Sequence, residues 1–294
     1  MEEHIIIDAH SHLWREATCP DARPLENNPS RSMFFGEERQ MLPPFMIDGR
    51  NTAEVFLSNM NYAQVAAAVV VQEIIDGNQD DYLSEVQERY PDRFLCCALL
   101  TSPDAVIPRR FKGVAMPGHR ISASLHSFLP LFKEMEANGQ ILSMCLGDDE
   151  HQIGEMREVI QECPELRIAI GHFGMVTTPS WESQILLARY KNVTIESGGI
   201  TWLFNDNGYP YPEAIKAIRK AADMVGMDKL MWGSDYPRTI TAITYRMSYD
   251  FVLKASCLTD LEKAQFLGTN AIRFYGFDQT RFPQLPYIKN MSEN

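Results

Sequence analysis

The sequence predicts an α/β fold, a single (β/α)8 TIM barrel, on three observations. Apolar runs of strand length recur eight times along 294 residues. Most of these runs are continuous rather than alternating, as parallel strands covered on both faces require. Amphipathic helical stretches separate nearly all of them, and no linker or shift in composition divides the chain. One domain over 1–294 follows, with a polar, Pro-containing tail (276–294) expected on the surface.

Taken in order, the first run is Ile5–Ala9. The segment from Trp14 to Asn51 has no clear periodicity and carries five prolines. Because it follows a strand, it belongs at the barrel mouth and is a candidate lid. A helix over Thr52–Tyr62, opened by a threonine cap, leads to the second run, Val65–Gln72. Helix Asp80–Tyr90 separates this from Phe94–Leu100, and a short Pro-containing connection leads on to Phe111–Met116. Helix Leu125–Ala137, run Ile141–Leu146, helix Glu150–Glu162 and run Arg167–Gly171 come next. Then follow helix Ser180–Arg189, run Val193–Glu196, the aromatic stretch Thr201–Tyr211, helix Tyr211–Val225 and run Leu230–Trp232. Helices Ile243–Ser256 and Thr259–Tyr275 finish the pattern.

A formal charge of -12 and a pI near 5.1 give no electrostatic footprint for nucleic acid or an anionic membrane. The expected partner is a small molecule, with self-association left open. Six scattered cysteines without a CxxC pair fit reduced, packed thiols. The opening MEEHIIIDAH has no basic segment followed by an apolar one, and no run reaches membrane-span length, so a cytoplasmic location is expected.

Sites of such barrels form at the carboxyl ends of the strands. The first run ends in Asp8-Ala9-His10-Ser11-His12. Residues i and i+2 of a strand share a face, so His10 and His12 project together, as two nitrogen ligands of one ion would. The fourth run continues into His119-Arg120, the sixth ends in His172, the seventh at Glu196 and the eighth in Asp235, with Tyr236 and Arg238 beyond. Four of seven histidines thus gather at strand ends. Arg120 and Arg238 can clamp a carboxylate, and Trp14, Trp202 and Tyr236 can form an apolar wall. Asp8 is read as orienting the turn.

DAHSHLW at the first strand, GHFG at the sixth and WGSDYP at the eighth resemble the amidohydrolase superfamily. The closer resemblance is to its amidohydrolase-2 branch, with decarboxylases like that of aminocarboxymuconate semialdehyde and lactonases of pyrone dicarboxylate and sugars. The resemblance implies that His10, His12 and Asp235 bind metal, that Asp235 also takes the proton of the attacking water, and that His172 polarises substrate or orients the nucleophile. Two departures stand out. Lys112 begins its strand instead of ending it, which speaks against a second ion. Cys145 stands where many members carry a strand-five histidine, with Asp148, Asp149 and His151 beyond. Cys145 is therefore a weak further candidate ligand. The reading is a hydrolase of a small ester or lactone, working with or without one divalent ion, zinc by preference; without it, His10, His12 and His172 would hydrogen-bond the carbonyl and Asp235 would activate water directly. The alternative is a metal-dependent non-oxidative decarboxylase, and the remaining alternative a non-catalytic binding barrel.

Overall fold

A computed structural model describes residues 4–286. Eight parallel strands lie in sequence order around one sheet: Ile6–Ser11, Val65–Val70, Phe94–Leu99, Gly113–Met116, Ile141–Met144, Arg167–Ile170, Val193–Glu196 and Leu230–Met231. The first and last meet through backbone hydrogen bonds. Ala9 N–H donates to Trp232 C=O (2.9 Å), Asp235 N–H to His10 C=O (2.9 Å), and His12 N–H to Tyr236 C=O (2.8 Å). The ring is the expected (β/α)8 barrel.

Each strand faces two apolar environments, which explains the unbroken runs. Inside, Ile7, Ala9, Ala67, Val69, Cys97, Ala115, Ala169 and Met231 fill the barrel, and Phe274 and Tyr275 pack at its floor. Outside, residues such as Val65, Val114, Leu142 and Ile168 pack on the surrounding helices. Inward positions are often alanine, which leaves the space above them to the site. The helices begin and end close to their expected limits, with one difference at a cap. Thr52 stands at the N-cap of Ala53–Tyr62 but makes no side-chain cap bond, and Ala53 N–H instead donates to the Tyr82 hydroxyl at 2.8 Å. A full capping box does form at Thr259 and Glu262. Of the tail, Phe277 and Phe282 pack against the floor, and 287–294 lie outside the described residues.

The segment after the first strand carries structure that was not expected. Ala22–Leu25, Asn28–Phe34 and Glu37–Gln40 form a three-stranded antiparallel sheet. The outer strand, Glu-Glu-Arg-Gln, is exposed at every position, so there is no buried face to write a period-two pattern. The two ends of the insertion are clamped together: Trp14 and Asn51 exchange backbone hydrogen bonds of 2.9 and 3.1 Å, and Asn51 Nδ2 donates to His12 C=O at 2.6 Å. All six cysteines are free thiols, four of them buried, with Cys257 exposed. Among the described residues no helix is long and apolar enough to cross a membrane.

Candidate active site at the barrel mouth

The first strand continues through Ser11, so His10 and His12 leave the barrel at its carboxyl rim. Both are almost fully buried. Asp235 arrives beside them because its N–H is tied to His10 C=O, and its backbone is held at φ 59°. His172 takes the same left-handed conformation, at φ 51°. Left-handed backbone is costly for residues with a Cβ, and it tends to persist where surrounding structure imposes it, as at functional sites. Asp8 supplies part of that framework. Its carboxylate accepts from Ser234 N–H (2.8 Å), Ser234 Oγ–H (2.5 Å), Tyr245 O–H (2.7 Å) and His10 N–H (3.1 Å). Burial pushes Asp8 up to about 6 against those hydrogen bonds. It therefore fastens the first strand to the eighth, where the sequence reading had it orient the turn.

The ligand atoms of His10, His12 and Asp235 all lie within 4.8 Å of one another. His12 Nε2 is 3.0 Å from Asp235 Oδ1 and 3.1 Å from His10 Nε2. The outer nitrogens face carboxylates. His10 Nδ1 is 2.8 Å from Glu196 Oε1, and His12 Nδ1 is 3.6 Å from Asp76 Oδ2. Without an ion, protons on the inner nitrogens join these groups; with an ion in their place and a proton on each outer nitrogen, both inner nitrogens and Asp235 Oδ1 would turn lone pairs to one point. That convergence suits a cation, and two imidazoles with one carboxylate are an ordinary donor set for a divalent ion. The residues fit a single ion. Gly198 and Gly233 make room for this ring, since a Cβ at either would stand 2.7 Å from His10 side-chain atoms.

Burial disfavours a charged His10, but Glu196, Asp235 and Asp8 outweigh it and raise the imidazole to about 9. Burial likewise opposes ionisation of Asp235, yet the hydrogen bond and charge of His12, with His172 and Arg238, hold it well below the usual carboxylate range. Trp202 Nε1–H donates to Asp235 Oδ2 at 2.8 Å, so this indole is a donor as well as part of the wall. His172 Nδ1 is 2.9 Å from Gly198 C=O, a partner that can only accept. Nδ1 therefore carries the proton, and Nε2 keeps its lone pair. Such a histidine orients a water better than it polarises a carbonyl.

Glu196 is the site residue whose role the sequence reading missed. Besides His10, it accepts from Gly198 N–H (2.6 Å) and His172 N–H (3.2 Å), and it is fully buried. Its position at the end of the seventh run was the available signal. Glu73 and Asp76, just beyond the second run, were missed as well. Glu73 accepts from Arg120 Nε at 3.0 Å and faces His119 Nε2 at 3.3 Å, and Asp76 accepts from Arg238 Nη2 at 2.6 Å.

A cavity of about 670 Å³ opens above this group. His10, His12, His119, Arg120, Cys145, His172, Trp202, Asp235 and Arg238 line it, and the insertion adds Phe34, Arg39, Gln40 and Met41. Two expected wall residues lie elsewhere. Tyr236 is fully buried and stacks on Phe56 at 4.1 Å, and Trp14 is sealed among Leu42 and Met46 with its Nε1–H on Gly49 C=O at 2.9 Å. Each ring is consumed by packing behind the rim. Cys145 reaches the cavity but stays outside the converging group. Burial, with the charges of Glu196, Glu73 and Asp235, pushes its thiol well above its ordinary range, and a protonated thiol is a poor ligand.

The fold and this rim define a (β/α)8 barrel with a His-His-Asp group at its mouth. A family model described as Amidohydrolase (Amidohydro_2) matches residues 7–277, so the chain belongs to that family. No curated protein sequence matches it. Solved structures do. A zinc-bound amidohydrolase from Burkholderia multivorans is 16% identical over 93% of this chain and 100% of its own, with a TM-score of 0.71. A probable 2-pyrone-4,6-dicarboxylic acid hydrolase from Acinetobacter baumannii, with citric acid bound, is 17% identical over 92% and 99%, with a TM-score of 0.67. The 5-carboxyvanillate decarboxylase of Novosphingobium aromaticivorans, holding manganese and a nitrobenzoic acid, is 15% identical over 93% and 96%, with a TM-score of 0.61. Relatives of this fold thus include both a hydrolase and a decarboxylase, and structures with zinc or manganese.

Proposed function

We propose that this protein hydrolyses an ester or lactone of a small organic molecule. The carrying observation is Asp235, anionic, buried, anchored through Oδ2 by Trp202 and facing the two imidazoles through Oδ1, at the foot of a mostly apolar cavity. In this reading Asp235 accepts the proton of the attacking water, and the bare Nε2 of His172 orients that water. His10, His12 and Asp235 would hold the ion, zinc by preference, which supplies Lewis-acid polarisation when bound. The insertion closes the mouth as a lid. Removing 22–40 is expected to raise KM by tenfold or more while the barrel still folds, and unchanged kinetics would remove the lid from the mechanism.

Decarboxylation is the second reading, because the same three residues would serve it. It asks in addition for a cation free to hold the departing carboxylate. Arg120, Arg238 and, from the insertion, Arg39 line the cavity, but each is engaged by a carboxylate, Glu73, Asp76 and Glu37 in turn. Hydrolysis is therefore preferred, and the product decides. Turnover in oxygen-18 water is expected to place one labelled oxygen in the acid product and to release no carbon dioxide. Carbon dioxide release from an aromatic or muconate-type acid would reverse the choice.

A further inference from the structure

Ester hydrolysis moves two protons, and the residues named so far account for one. Asp235 receives the proton of water. The leaving oxygen, which departs with the electron pair of its bond to carbon, must gain a proton from elsewhere unless it is already a stable anion. His172 cannot provide it, because its Nδ1–H is spent on Gly198 C=O and its Nε2 is bare. Asp148 is occupied as an acceptor from Ser180. Cys145 is the one thiol in the cavity wall, and it is too weak an acid once buried among carboxylates.

The remaining candidate stands across the mouth. His119 follows the fourth strand and Asp235 the eighth, so they lie on opposite sides of an eight-strand ring. Both face the same cavity. The His119 backbone is fixed by its N–H on Cys145 C=O at 3.0 Å. Its Nε2 lies 3.3 Å from Glu73 Oε2. Glu73 in turn is buried and locked by Arg120 Nε at 3.0 Å and Ile74 N–H at 2.7 Å. This is a carboxylate–imidazole pair whose carboxylate can stabilise an imidazolium and fix which nitrogen points away from it. Nδ1 makes no hydrogen bond among the described residues, and the side chain is 28% exposed, open enough to meet a ligand.

We infer that His119 is the general acid of this site, donating the Nδ1 proton to the leaving oxygen while Glu73, held by Arg120, positions its ring. The inference rests on the hydrolytic reading. In the step, water oxygen bonds to the carbonyl carbon and its proton passes to Asp235. The carbon–oxygen bond to the leaving group breaks, its electron pair stays on that oxygen, and the His119 proton converts it to an alcohol. Neutral His119 and protonated Asp235 then exchange protons with solvent, which restores both.

The test compares two esters of one acyl group, a p-nitrophenyl ester whose leaving anion needs no proton and an ethyl ester whose leaving anion does. Against wild type, His119→Gln and His119→Asn are expected to lose about 10²–10³-fold in kcat/KM on the ethyl ester. On the p-nitrophenyl ester they should lose less than about fivefold, the acid being dispensable there. Glu73→Gln should show the same selectivity to a smaller degree, and thermal melts and circular dichroism of the variants should match wild type. Equal losses on the two esters, or no loss on either, would overturn the assignment and leave the hydrolytic reading intact. The selective pattern in Cys145→Ala with His119→Gln unaffected would overturn it in favour of the thiol. Wild type inactive on every ester and lactone offered would overturn both.

Discussion

Asp235→Asn is expected to lower kcat/KM on an ester or lactone substrate by about 10²–10⁴-fold while the barrel remains folded. Asparagine has nearly the same shape, so its oxygen can still accept from Trp202 Nε1–H, now at 2.8 Å from Asp235 Oδ2. The backbone bond from residue 235 to His10 C=O, which helps close the ring, does not involve the side chain. What is lost is the proposed acceptor of the water proton, together with the negative charge opposite two imidazoles. Circular dichroism and a thermal melt close to wild type, alongside the kinetic loss, would place the effect in chemistry. A loss below tenfold would remove Asp235 from the role of base.

Glu196→Gln is expected to weaken zinc binding by about 10–100-fold, measured by titration against a competing chelator. The carboxylate can only accept, so it holds a proton on His10 Nδ1 and leaves Nε2, beside His12 and Asp235, as the nitrogen to be freed for an ion. A glutamine can turn its NH2 toward His10, which moves the imidazole proton to Nε2, the nitrogen an ion would need. Asp76→Asn should act in the same direction but less, because Asp76 stands 3.6 Å from His12 Nδ1 whereas Glu196 stands 2.8 Å from His10 Nδ1. Equal zinc affinity in wild type and Glu196→Gln would show that the outer carboxylate does not set the ligand tautomer.

The barrel was legible because its signal is local and repeated. Strands packed on both faces are largely apolar, and runs such as Val65–Val70 and Phe94–Leu99 announce themselves. The converging group was legible for a different reason. Placing each polar residue at the end of a strand is enough, given the fold, to bring His10, His12 and Asp235 together. Three kinds of feature escaped. The outer strand of the insertion sheet is exposed at every position, so Glu37–Gln40 reads as loop. Glu73 and Asp76 act through partners far along the chain, Arg120 and Arg238, and nothing in the local stretch QEIID announces such pairing. Trp14 and Tyr236 sit beside functional residues in sequence, yet their rings turn away into packing. Adjacency to a residue of the converging group along a chain says little about which side of the backbone a large ring takes.

The seam between the first and eighth strands has a consequence for how the protein comes into being. Asp8 and Ser234, which fasten that seam, are 226 positions apart. During synthesis the amino-terminal histidines emerge early and remain without their acid until nearly the whole chain has been made. Joining such distant segments carries a loop-closure cost, and it cannot precede emergence of the eighth strand. Convergence of His10, His12 and Asp235 and completion of the ring are therefore one event. A chain cut short before the eighth strand keeps both histidines and lacks the carboxylate that converges on them.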